Sequence, residues 1–139
     1  MNLPIHVISG GIFSIIVYRF LGIKNAIGFF CFASFLDADH YLYYIYKFRK
    51  LHIRKAMEYF DAHRDVERFC LCIFHTIEFF IFFSLITFIF SSLFLYACLL
   101  GVILHYIVDI AQALYLKRIY YRWWSAISYC RSRKTNEKL

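Results

Sequence analysis

One proline and five glycines in 139 residues leave no Pro/Gly-rich linker along which a separate soluble domain could be divided off. Charge is scarce too, at 18% of residues, and only nine of the charged residues are acids. Five cysteines, at positions 31, 70, 72, 98 and 130, make an odd set that mostly lies inside apolar runs. That excludes a disulfide framework, and Cys70/Cys72 has no second pair at zinc-finger spacing. The N-terminus has neither the basic start nor the small-residue cleavage site of a signal peptide, so its apolar stretch is expected to be retained as a span. There is no internal repeat.

What fills the chain instead is apolar. Hydrophobic residues make up 62% and aromatics 22%, with a mean hydropathy of +0.58, against roughly 45–50% apolar in ordinary globular chains. Apolar runs of about 18 residues or more at 3–21, 27–46, 69–90 and 93–116 predict an all-α polytopic membrane protein with the lipid bilayer as its partner. The expected fold is about four transmembrane helices in an antiparallel bundle, one domain over 1–130, with a disordered basic tail at 131–139. The 69–116 stretch is too long for one crossing at about 1.5 Å per residue, and Ser91-Ser92 supplies the polar break for a tight return. The opposite turn is expected at 22–26.

The net charge of +7 is explained by topology, and no nucleic acid is expected as partner. Of sixteen basic residues, fourteen fall in the 47–68 loop or after residue 116, leaving Arg19 and Lys24 for the other side. Basic residues near span ends resist translocation, so both termini are expected in the cytoplasm of an inner or plasma membrane protein. Tyrosines 41, 43, 44 and 46 and the run from Tyr120 to Trp124 read as an interfacial belt. Ile53, Met57 and Phe60 recur at helical spacing among charges, predicting a short interfacial helix in the loop. His52 and His63 read as solvated.

Eight acids and histidines lie inside the apolar spans: His6, Asp37, Asp39, His40, His75, Glu78, His105 and Asp109. Each costs a few kcal/mol or more at membrane depth and is by default a functional candidate facing the bundle interior. His105 and Asp109 are i,i+4 on a face with Cys98, Gly101 and Gln112. Asp37 and His40 are i,i+3, with Ala33 and Tyr44 continuing their face; His6 aligns with Gly10 and Ser14; and His75 and Glu78 are i,i+3. Asp39 points roughly opposite Asp37 on a regular helix and needs a local distortion or another partner. The polar residues come late in spans two and four and early in one and three, so alternating helices bring them to one layer. The gathered residues read as a divalent-metal site, as interhelical hydrogen-bond glue, or as a proton or ion relay.

The order His6, Asp37-Ala38-Asp39-His40, His75, His105-x-x-x-Asp109 resembles the YdjM-like family of membrane-bound metal-dependent hydrolases, and by analogy the helical zinc-dependent phospholipase C fold. Leu36 stands where that family usually has proline before D-x-D-H. The resemblance implies hydrolysis, with an anionic phosphoester or lipid-like substrate at the cytoplasmic leaflet. The resulting expectation is one or two zinc-like ions held by His6, Asp37, Asp39, His40, His75, His105 and Asp109, with Asp39 and Glu78 in the catalytic set, Glu78 as ligand or general base. Arg49, Arg64 and Arg118 are the rim cations expected to attract an anionic headgroup. The alternative is a non-enzymatic protein whose cluster relays protons or metal ions.

Overall fold

A computed structural model describes residues 3–62, 72–117 and 125–130. His63, Arg64, Arg68, Cys70, Arg118, Arg122, the Tyr120 to Trp124 run and the 131–139 tail lie outside the described residues. Among those described the chain is all helix, without strands: α1 (Leu3–Leu21), α2 (Ile23–Phe35), α3 (Ala38–Phe48), α4 (Ile53–Ala62), a 3-10 turn (Ile73–His75), α5 (Ile77–Phe90) and α6 (Leu93–Tyr115). Residues 126–130 add a short helical segment. α1 and α6 are long and apolar enough to cross a membrane; α2 and α5 are apolar but shorter.

The lone proline, Pro4, sits in the first turn of α1, where its missing N–H has no intrahelical acceptor to lose. α1 turns back into α2 through one residue, Gly22, at φ 81°, a left-handed conformation that costs an L side chain dearly. The expected 22–26 turn therefore contracts to Gly22, and Lys24 to Ala26 are helical. At the other return the prediction holds: Ser91, at φ 43°, ends α5 and Ser92 leads into α6.

The second apolar run is not one helix. It breaks at Leu36-Asp37, between α2 and α3. The third run is interrupted as well: Thr76 is extended and its Oγ1 accepts from the Phe79 amide at 3.3 Å, so α5 starts only at Ile77. His75 and Glu78 are thus on different elements, and their expected i,i+3 shared face does not exist.

α2 is the central helix, packed against α1 on one side and α6 on the other. Small residues make this possible. A Cβ at Gly101 would lie 2.5 Å from the Phe29 carbonyl oxygen of α2, and one at Gly10 would lie 2.6 Å from Ser34 Oγ. α4 forms where the loop helix is predicted, but Ala56 and Phe60 pack inward against Tyr44 of α3. Tyr44 is therefore core rather than belt, whereas Tyr46 remains exposed.

The interior mixes small and aromatic apolar residues with an unusual number of polar ones. His6, Ser34, Asp37, His40, His75, Thr76, Thr87, His105 and Asp109 are all buried, while Ile15, Phe20, Phe88, Ile89 and Phe90 are each at least 68% exposed. Exposed apolar side chains in such number are compatible with a membrane environment.

Candidate metal centre

Four elements bring their polar residues to one end of the helical assembly. α1 supplies His6 near its start. The α2–α3 break supplies Asp37, Asp39 and His40; the 3-10 turn supplies His75; and α6 supplies His105 and Asp109 one helical turn apart. His75 Nε2 lies 3.0 Å from His105 Nε2, 3.3 Å from Asp37 Oδ1 and 3.4 Å from Asp109 Oδ2. His105 Nε2 lies 3.8 Å from the same Asp37 oxygen and 3.5 Å from Asp109 Oδ2. A tetrahedral zinc-like ion with bonds of about 2.0–2.1 Å has ligand–ligand edges of roughly 3.3–3.4 Å. The five measured edges bracket that value.

The hydrogen bonds behind these atoms fix the ring tautomers. His105 Nδ1 donates to the Ala33 carbonyl at 3.0 Å, and His75 Nδ1 to Asp39 Oδ2 at 3.1 Å. With each Nδ1 proton committed, both Nε2 lone pairs and two carboxylate oxygens converge on the same point. Four acceptors cannot satisfy one another. A metal ion or a shared proton would resolve such a set, and histidines backed by a carbonyl or carboxylate are how proteins orient metal-binding imidazoles. Asp37, His75, His105 and Asp109 can together hold a metal ion.

Asp39 plays a different part. Leu36-Asp37 is non-helical, so Asp39 escapes the roughly opposite direction that a straight helix would impose. Its Oδ1 accepts from the His40 amide at 2.8 Å and lies 2.9 Å from His40 Nδ1. Its Oδ2 accepts from the Phe74 amide at 3.0 Å and from His75 Nδ1. Asp39, His40 and His75 form a second group spaced for a metal, but both Asp39 oxygens are already engaged. The expected distortion is real, and its consequence is an aspartate that positions His75.

Replacing Asp39 with asparagine should therefore weaken metal binding by about 10- to 100-fold without abolishing it, the usual effect of losing an outer partner of a ligating histidine. Competition against a chelator measures this; an unchanged affinity would mean that Asp39 does not orient His75.

His6 stacks on His105 with centroids 4.0 Å apart, and its Nε2 is 3.2 Å from Asp109 Oδ1. His40 stands edge-on to Phe60 of α4 at 5.2 Å and has Nδ1 3.3 Å from Asp37 Oδ1. Seven of the eight acids and histidines of the spans thus meet. Glu78 does not join them. Its carboxylate accepts from Ser125 Oγ at 2.6 Å and from the Ala126 and Ile127 amides at 3.0 and 3.4 Å, capping the 126–130 segment. The reason is Thr76, whose cap turns α5 away from the direction of His75. The general-base expectation for Glu78 loses its geometric basis.

Several participants were missed by sequence reasoning. The Ala33 carbonyl and Phe74 amide are backbone groups, invisible to a search for side-chain motifs. Tyr106 Oη donates to the Phe74 and Thr76 carbonyls at 2.7 and 3.3 Å, tying the non-helical 72–76 segment to α6. Buried Cys72, to which no chemistry was assigned, hydrogen-bonds His40. His52 is exposed, as expected. Arg49 is the one rim cation within the described residues; it ends α3 at φ 54° and lies over the Tyr46 ring.

Comparison with protein-family models, curated proteins and solved structures found no match.

Proposed function

We propose that the protein is an integral membrane metal-dependent hydrolase acting on a phosphoester or lipid-like anion. The observation that carries this reading is the convergence of His75 Nε2, His105 Nε2, Asp37 Oδ1 and Asp109 Oδ2, with both histidine Nδ1 protons held elsewhere. A bound zinc-like ion supplies Lewis-acid chemistry, activating water and neutralising charge on the oxygen under attack. The chain's own contribution is orientation. Ala33 and Asp39 fix the two imidazoles, and α4 covers one side through Phe60. Among the cluster carboxylates, Asp109 and Asp39 keep the most side-chain exposure, 8% and 10%, and they mark the edges from which substrate and water approach. The resemblance of the D-x-D-H and H-x-x-x-D segments to those of the YdjM-like family favours the same reaction class.

Four crossings accommodate this site in a bilayer. α2 and α3 form one broken crossing, and the 72–76 segment with α5 forms another. Non-helical backbone at membrane depth is tolerated when buried in protein with its polar groups satisfied, which is what Tyr106 and Asp39 do for Phe74 and Thr76. The excess of basic residues in the loop and tail supports a topology with both termini in the cytoplasm and the site toward that leaflet.

A second reading rests on the same 3.0 Å approach of two imidazoles: a proton on His75 Nε2 bridges to His105 and the cluster acts as a relay. Elemental analysis separates the two. The hydrolase reading expects stoichiometric zinc or a similar ion in protein purified in detergent, and metal-dependent cleavage of a chromogenic phosphoester that His105→Ala abolishes. Metal-free protein that conducts protons in liposomes, with conduction lost in Asp109→Ala, would establish the relay instead.

A further inference from the structure

Resting on the metal-site reading above, we infer that the centre takes two divalent ions, the second held by His6 with the outward oxygens of Asp37 and Asp109. The first ion uses Asp37 Oδ1 and Asp109 Oδ2, which leaves each carboxylate a second oxygen. Those oxygens face His6: its Nε2 lies 3.2 Å from Asp109 Oδ1 and 4.0 Å from Asp37 Oδ2. His6 is 1% exposed, yet neither ring nitrogen makes a hydrogen bond, and Asp37 Oδ2 is likewise buried without one. Buried polar atoms are nearly always satisfied in folded proteins. An imidazole held rigid by stacking on His105, and aimed at two carboxylate oxygens, is a ligand set awaiting a cation rather than a hydrogen-bonded core residue.

The competing position, the Asp39–His40–His75 group, is already closed. Asp39 spends its oxygens on the His40 and Phe74 amides and on two imidazole nitrogens. His75 cannot offer Nδ1 to a second ion while Nε2 holds the first, unless it also gives up the proton it donates to Asp39. Charge points the same way. Asp37, Asp39 and Asp109 place three carboxylates in one buried cluster, and in the described residues neither Asp37 nor Asp39 pairs with lysine or arginine. With the histidines neutral, one divalent ion leaves the three carboxylates net negative by one charge, and two leave the centre net positive by one, the sign that suits a bound hydroxide or an anionic substrate. Carboxylates bridging two ions about 3.5–4 Å apart form the clamp used for in-line displacement at phosphorus, and among the described residues three ligand atoms face the His6 position, which would leave room for substrate or water.

The test loads the full-length protein with Mn²⁺ in detergent, counts ions per chain, and records the electron paramagnetic resonance spectrum. Two ions per chain with a spin-coupled spectrum are expected. His6→Gln should fall to one ion with an uncoupled spectrum, whereas His40→Gln should keep two. Circular dichroism and gel filtration confirm that both variants are folded; if His6→Gln is not, His6→Asn replaces it. One ion in the unaltered protein, unchanged by His6→Gln, overturns the second site while leaving the four-ligand site standing. Loss of an ion in His40→Gln but not in His6→Gln overturns it in favour of the Asp39 group. No bound ion at all removes both readings.

Discussion

Alanine at His75 is expected to strip the protein of metal, with affinity falling by more than the roughly 100-fold upper end for an outer-shell partner and hydrolysis dropping to background. His75 is the one residue common to both metal-spaced groups. Its ring lies within 3.4 Å of Asp37, Asp39, Asp109 and His105. Removal takes away a ligand, releases Asp39 from its orienting role, and leaves carboxylates in a buried site with less to neutralise them. Losing one partner from a buried charged arrangement costs about 3–5 kcal/mol, so a drop in stability alone would not identify a metal site. The dependence of melting on metal does. An ion bound only by the folded state, at a thousand times its dissociation constant, stabilises by about 4 kcal/mol; unaltered protein should melt higher with Zn²⁺ than with chelator, and His75→Ala should show no difference. A His75→Ala protein that keeps both its stoichiometric metal and its metal-dependent melting shift would refute the site.

How His75 reaches that position was only partly readable from its neighbours in sequence. Its presence in an apolar run marked it as a candidate, and the layer argument placed it with His105 and Asp109, which the distances bear out. The backbone that aims it was hidden. Thr76 is a recognisable helix-capping residue type, and giving it that weight would have started the helix after His75 and separated that histidine from Glu78. The partners of Glu78, at Ser125 to Ile127, lie 47 to 49 residues away, and no local pattern announces such a contact. The same holds for the α2–α3 break. Neither proline nor glycine marks Leu36-Asp37, so periodicity predicts one continuous helix over 27–46. The break is repaid by tertiary contacts, through which Asp37 and Asp39 both reach histidines from other elements. What transferred best were the polar faces of single regular helices: His6 with Gly10 on α1, and Cys98, Gly101, His105 and Asp109 on α6, are buried, while Ser14 and Gln112, read on the same faces, are only part-buried. Within one unbroken helix, spacing determines facing; across a break, packing decides.

Gly101→Ala should be the most damaging single-methyl addition in the bundle, destabilising the protein by about 1–3 kcal/mol as overpacking of a tight interface does, and weakening metal binding with it. The added Cβ would stand 2.5 Å from the Phe29 carbonyl oxygen, 3.1 Å from the Ala33 amide nitrogen and 3.1 Å from Phe32 Cβ. Two of these are backbone atoms of α2, which cannot rotate aside as a side-chain tip can, so α2 and α6 must separate. Ala33 is also the residue whose carbonyl accepts from His105 Nδ1, one turn along α6 from Gly101. Separation therefore stretches the bond that fixes the His105 ring, and a packing change is felt at the metal. Gly11→Ala is the matched control. Its Cβ would meet only Phe30 Cε2, at 4.0 Å, and alanine in place of glycine within a helix is worth about 0.8–1.0 kcal/mol in intrinsic preference. Chemical denaturation in detergent should rank the proteins Gly11→Ala, unaltered, Gly101→Ala from most to least stable, with metal affinity reduced in Gly101→Ala alone. Equal stability and equal affinity in all three would show that α2 and α6 do not approach as closely as the Gly101 contact requires.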